Sequence, residues 1–158
     1  MNAPAGGQAS TVIAAPPEAV WALVTDVTRT GEWSPENTGA VWLEGATGPA
    51  VGARFKGANR RGRAKWATTC QVTVAHPGSE FVFVTGRPEK PDTRWRYVLE
   101  PEGDGGATRL TESFELLKPL GAVSNLVTRV TTGVRDRRAD LEENVRTSLA
   151  RIKEIVEG

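Results

Sequence analysis

The sequence predicts an α+β domain in which a curved antiparallel sheet of about seven strands wraps around one long C-terminal helix. Three observations predict it. Residues 93–116 alternate by twos on both sides of a Gly-rich turn: Thr93, Trp95, Tyr97 and Leu99 interleave with Arg94, Arg96 and Glu100, and Leu110, Phe114 and Leu116 share one face of the return strand. In residues 53–59 and 63–75 the charges fall on one side, which fixes register because a one-residue slip would bury them. After Pro119 no strand pattern remains, and Val134, Leu141, Val145, Leu149, Ile152 and Val156 mark one stripe of an amphipathic helix.

The elements follow in order. Residues 8–15 read as a first strand, stopped by Pro16-Pro17, and proline suits the first turn of a helix, where its missing N–H costs nothing. Val20, Leu23, Val24 and Val27 then recur at helical spacing, and a second short helix or turn covers 28–33 until Pro35 ends it. A short strand is expected over 38–44 and a Gly/Pro loop over 45–52. The strand at 53–59 points Phe55, Gly57 and Asn59 inward; the strand at 63–75 points Trp66, Thr68, Cys70, Val72 and Val74 inward. Pro77-Gly78 turns the chain into 80–85, where Phe81 and Phe83 alternate with Val82 and Val84, so both faces of that strand are expected to be partly covered. A helical piece over 120–132 with a break at Gly133 precedes the long helix.

At 158 residues the chain is read as one domain, 1–158, with 1–7 flexible. A chain of this length buries roughly 70% of its unfolded surface and needs no disulfide or structural metal. The net charge of +1 gives no global attraction to nucleic acid or to an acidic membrane. The lone Cys70 fits a reducing cytoplasm. No charged-then-apolar leader and no apolar run of about 20 residues stands in the sequence. The single histidine, His76 in His76-Pro77-Gly78, reads as a turn residue, so zinc and Cys–His or Ser–His chemistry are poorly supplied and no cofactor or metal is expected. The expected partner is a small hydrophobic molecule, with no nucleic acid and no membrane span, and the protein is expected as a monomer or homodimer.

The inward list contains Asn59, Thr68, Thr85, Thr93 and Glu112 among its aromatics, more polar groups than a dry core uses. An apolar pocket with a few convergent polar groups is the usual form of a small-molecule site. The stretch Thr11 to Trp21 with its Pro16-Pro17, then Asp26, Trp33-Ser34-Pro35, Pro77-Gly78 before Phe81-Val82-Phe83, Trp95-Arg96-Tyr97, the run from Gly105 to Ser113 and the final helix to Gly158 together resemble the START-like (SRPBCC) superfamily, and within it the polyketide cyclase/dehydrase-type branch. The resemblance spans nearly the whole chain. It implies a helix-grip fold with two short helices after the first strand, and an internal cavity for lipids, polyketides or other hydrophobic ligands. It brings no shared catalytic motif.

Glu112 falls on an apolar strand face, where an isolated charge is too costly, so it must be neutral, paired or cavity-facing. Arg138 lies in the apolar stripe of the last helix and is the expected structural partner of Glu112, with the adjacent Arg137 as the alternative one position away. If unpaired, Glu112 is a general acid or base near neutral pH, with the Tyr97 phenol as a second proton-transfer candidate. The ligand-binding set is Trp33, Phe55, Asn59, Trp66, Phe81, Phe83, Trp95, Tyr97, Phe114 and Arg138. The leading function is binding or transport of a lipid, polyketide or aromatic ligand between sheet and helix. Two alternatives stand beside it. One is a cyclase, aromatase or dehydratase using Glu112 or Tyr97. The other is an interaction module using the basic hairpin face of Arg54, Lys56, Arg60, Arg61, Arg63 and Lys65.

Overall fold

A computed structural model describes residues 6–117 and 137–158. Seven antiparallel strands form one sheet: β1 (Gly6–Ile13), β2 (Asn37–Trp42), β3 (Arg54–Arg61), β4 (Ala64–His76), β5 (Glu80–Arg87), β6 (Lys90–Glu102) and β7 (Ala107–Leu116). Their spatial order is β1-β7-β6-β5-β4-β3-β2. β2 to β7 therefore form a meander, and β1 reaches its place beside β7 from the far end of the chain. Helix α1 (Pro17–Val24) and a 3-10 turn, Val27–Glu32, carry the chain from β1 to β2. Helix α2 (Arg137–Glu157) packs on β1, β7 and α1. The helix-grip architecture expected from the sequence is present. The expected helical piece at 120–132 and the break at Gly133 lie outside the described residues.

Local chemistry sets most boundaries. Pro17 opens α1 at N1, and Val20, Leu23 and Val24 are its buried face. The Asp26 side chain caps the 3-10 turn by accepting from the Thr28 backbone N–H at 3.2 Å. α2 buries Leu141, Val145, Ser148, Leu149 and Ile152. Each apolar member of that stripe contributes roughly 1.5–3 kcal/mol of burial. The C-terminal end of α2 is tied to β1 by Lys153 Nζ donating to the Val12 carbonyl at 2.7 Å and by the Ala14 N–H donating to Glu157 Oε2 at 2.8 Å.

Three local expectations need correction. β1 starts at Gly6 and stops at Ile13, because Gly6 and Gly7 already pair with Glu115 and Phe114 while the Ala15 N–H turns back to the Ile13 carbonyl. A β-bulge between Val72 and Val74 shifts the β4–β5 register. After it Ala75 lies opposite Phe81 and joins the core, and Val74 lies opposite Val82 on the other face, so Val74 is not inward. β5 and β6 also run further than expected, meeting at a turn after Arg87.

The interior has two unlike halves. Ile13, Val20, Leu23, Val72, Leu99, Leu110, Leu149 and Ile152 close one half, under α1 and the C-terminal part of α2. The other half, under the N-terminal part of α2, is open and holds the site.

Candidate functional site

A cavity of about 280 Å³ lies between the first turns of α2, the 3-10 segment and strands β3 to β7. The sheet supplies its aromatic wall. Phe55 and Phe83 meet edge-on at 5.1 Å between ring centres, Phe81 and Phe83 lie at 5.7 Å, and Phe81 stacks on Tyr97 at 6.5 Å. Trp66 and Trp95 line the same space, and Trp33 closes it from the end of the 3-10 turn. These are cross-strand neighbours on one face: Phe83 opposes Trp95, Phe81 opposes Tyr97 and Asn59 opposes Trp66.

The deep polar corner is made by β6 and β7. Tyr97 and Glu112 are directly opposite in the register. Both are buried, at 6% and 3% exposure. Burial pushes the Glu112 carboxyl up to about 8, opposed by the neighbouring Tyr97 hydroxyl. Tyr97 is raised well above an ordinary phenol, first by burial and then by the Glu112 charge, with Trp33 acting in the opposite direction. The Trp33 indole N–H is near enough to the phenol oxygen to act on its charge, but its geometry closes no hydrogen bond. Among the described residues Trp33 Nε1 and Glu112 Oε1 are buried polar atoms with no hydrogen-bond partner.

The mouth of the cavity carries a separate ionic cluster. Arg137, at the start of α2, grips Glu36 with both terminal nitrogens, one of them at 2.7 Å from Oε1, and holds Asp140 at 2.9 Å. Asn144 adds a 2.9 Å hydrogen bond to Glu36, and Arg61 pairs with Asp140. The Arg137 guanidinium lies 5.9 Å from the Trp66 ring centre, within cation–π range. Nearby, Asn59 is an inward amide, donating to Thr68 Oγ1 at 2.8 Å.

Of the residues expected to bind ligand, Trp33, Phe55, Asn59, Trp66, Phe81, Phe83, Trp95 and Tyr97 all line this cavity, as does Glu112. Phe114 does not: it packs behind Trp95 at 5.6 Å, against the β1 backbone at Gly7. Arg138 does not either. It faces outward, bonded to Glu142 at 2.8 Å and to the Gly6 carbonyl at 3.2 Å. The expected Glu112–Arg138 pair is absent, because one helical position turns Arg138 to solvent and Arg137 to the cavity, where Glu36 takes it up. The basic hairpin face is also partly neutralised, since Arg54 pairs with Glu44 and Arg61 with Asp140. Sequence reasoning missed Glu36, Asn144 and Ser148. Asn144 and Ser148 carried a usable signal, being polar at i and i+4 beside the apolar pair Leu141 and Val145. Glu36 carried none.

The sequence profile of the family described as polyketide cyclase / dehydrase and lipid transport matches residues 6–157. The chain belongs to that family. A polyketide-cyclase-like protein from Corynebacterium glutamicum, solved by NMR, is 34% identical, with 99% of this chain and 94% of that one aligned at a TM-score of 0.66. The Zhui aromatase/cyclase from a Streptomyces species aligns at a TM-score of 0.72 over 96% of this chain and 93% of that one. At 14% identity the likeness is of fold alone. None of the curated proteins compared with the sequence matches it. Among the described residues no helix is long and apolar enough to cross a membrane.

Proposed function

We propose that the protein binds a small, largely aromatic hydrophobic molecule inside the fold. The observation that carries this is the cavity of about 280 Å³, walled by seven aromatic side chains and closed at one end by polar groups. A packed domain interior leaves few voids larger than a water molecule, and the space lies just below the roughly 300–1,000 Å³ of small-molecule pockets. It suits a ligand of two or three fused rings better than an extended acyl chain. The family description, which couples cyclase and dehydrase activity with lipid transport, supports a hydrophobic ligand and leaves the chemistry to the site. Native mass spectrometry of the purified protein tests the proposal. A co-purifying hydrophobic mass, displaced by added aromatic ligand, is the expected result. Protein that carries no ligand and takes up none at saturating concentration overturns it.

A second reading has its own observation. A carboxyl that titrates near 8 beside a phenol is suited to moving a proton at a bound enolisable carbonyl, as a dehydratase or aldol cyclase requires. Under that reading Glu112→Gln retains ligand and abolishes turnover. Under the binding reading no turnover of the bound ligand is seen in either form.

A further inference from the structure

Charge is distributed unevenly over the sheet. Across most of it opposite charges face one another: Arg94 pairs with Glu115, Arg96 with Glu80 and Arg109 with Glu102. At two hairpin tips the rule is reversed. Arg60 stands directly opposite Lys65 where β3 turns into β4, and Arg87 directly opposite Lys90 where β5 turns into β6. Like charges directly opposite one another are destabilising. With Arg63 these make five exposed cations, and among the described residues none of the five side chains has an ion-pair partner. The nearby acids are Glu89, in the second turn, and Asp92, which is turned back against Gly86. β4 begins at the first tip and β5 ends at the second, so as antiparallel neighbours they bring both tips to one end of the sheet. That end is the cavity mouth. Asn59, Trp66 and Thr85, beside the tips, line the cavity, and Arg61 in the first tip pairs with Asp140 in the first turn of α2.

We infer that the two tips form a docking surface for an anionic lipid bilayer, which sets the cavity mouth against the membrane. The inference goes beyond the binding proposal and rests on it for the choice of partner, because a hydrophobic ligand partitions from water into a bilayer. The composition of the tips agrees. Residues 60–65 and 87–90 contain no aromatic and no large apolar side chain. A specific protein interface needs such anchors at its centre, and a single-stranded nucleic acid needs aromatic faces for its bases. What the tips offer is long, flexible cations on turns that project from the sheet, which suits a flat anionic surface. Near such a surface each Lys or Arg adds about fivefold to partitioning. The net charge of +1 supplies no such attraction, so the tips orient the docking.

Co-sedimentation with vesicles tests this. The full chain should bind vesicles of phosphatidylcholine with about 30% phosphatidylglycerol at about 25 mM salt, ignore pure phosphatidylcholine, and be released at about 300 mM salt by screening. The triple variant Arg60→Gln, Arg63→Gln, Lys65→Gln should lose at least about thirtyfold in partitioning. Its urea midpoint should match or exceed that of the unmodified protein, because a like-charge pair is gone. The variant Arg96→Gln, Arg109→Gln, Arg146→Gln removes the same charge away from the tips and should bind vesicles within about threefold of the unmodified protein. No binding to the anionic vesicles at low salt overturns the inference, as does an equal loss in both triple variants. A lowered urea midpoint in the tip variant gives the cations a structural role and overturns it too. Tip-dependent binding of a DNA duplex or of polyglutamate, with the anionic vesicles ignored, assigns the surface to nucleic acid or to an acidic protein instead. Each of these results leaves the cavity proposal standing, since vesicle binding is read without ligand, and that proposal falls only by its own mass-spectrometric test.

Discussion

Replacing Glu112 by glutamine should make the protein more stable, and by an amount that depends on pH. The carboxyl ionises at about 8 in the fold against an ordinary 4.5. The native state therefore holds a proton that the unfolded chain releases. Below the unfolded value both states are protonated and the group costs nothing. Between 4.5 and about 8 the unfolded state binds fewer protons, so stability falls as pH rises, and above about 8 the full cost is in place. At ~1.4 kcal/mol per tenfold change, that displacement amounts to about 5 kcal/mol as an upper figure, and water entering the cavity lowers it to the range of ~2–5 kcal/mol. Glutamine keeps the shape and can still accept from Tyr97, but it has no proton to exchange. Urea unfolding of both proteins at about pH 5, 7 and 9 reads the difference directly, because titrations away from Glu112 cancel between them and the buried Tyr97 phenol, raised well above its ordinary value, stays protonated in the fold over this range. The gap should be small at the lowest pH and reach ~2–5 kcal/mol in favour of the glutamine variant at the highest. Parallel curves, or a variant less stable at high pH, refute the reasoning. The latter is the outcome of a buried ion pair, whose loss costs ~3–5 kcal/mol.

Further predictions follow from neighbouring contacts. Arg137→Ala should destabilise by ~2–4 kcal/mol in urea unfolding because it strands the Glu36 carboxylate with only Asn144, whereas Arg138→Ala, one residue on and solvent-facing, should stay within ~0.5 kcal/mol. Gly31→Ala should cost ~1–3 kcal/mol by the same assay, because a Cβ there would lie 2.6 Å from the Thr38 carbonyl oxygen and the 3-10 turn would have to part from β2. Burial pushes the Cys70 thiol up to about 12, so Ellman's reagent at about pH 8 should leave the native protein unmodified and titrate one thiol after unfolding. Rapid reaction of the native protein would place Cys70 at an open mouth instead.

The parts of this fold that could be read from sequence are those where one periodicity decides. The charges on β3 and the first part of β4 alternate with Phe55, Trp66 and Cys70, and the register follows from where lysine and arginine cannot go. Val74 was not readable, because a bulge inserts one residue and inverts the faces after it, and nothing in Val72-Thr73-Val74 distinguishes a bulge from continued alternation. The inward carboxylate was readable for the same reason as the strand. Its partner was not: the identity of a partner depends on the rotation of α2, and one position, about 100° around the helix, separates the solvent-facing Arg138 from the cavity-facing Arg137. Glu36 lies in an irregular stretch before β2, where no period applies, so its capture of Arg137 is a product of tertiary structure alone.

The distribution of unsatisfied groups argues that the Glu112 corner is a site and not a packing fault. In the closed half of the interior the buried polar side chains are provided for: Thr25 donates to the Trp21 carbonyl at 2.7 Å and Thr108 to the Ala15 carbonyl at 2.8 Å. In the open half, among the described residues, Trp33 Nε1, Asn37 Oδ1 and Glu112 Oε1 are buried without a partner, and all three residues line the cavity. The remaining orphans, Arg54 Nε and Arg61 Nε, belong to guanidinium groups whose other nitrogens are ion-paired, so they cost less. Replacing Glu112 by an apolar residue of similar size would remove an ionisation cost of several kcal/mol and one unsatisfied acceptor together. A carboxyl whose removal stabilises the fold has no structural reason to stand there. Its value must then be realised in a state other than the empty protein, which is what the binding proposal requires of a polar group on the cavity wall.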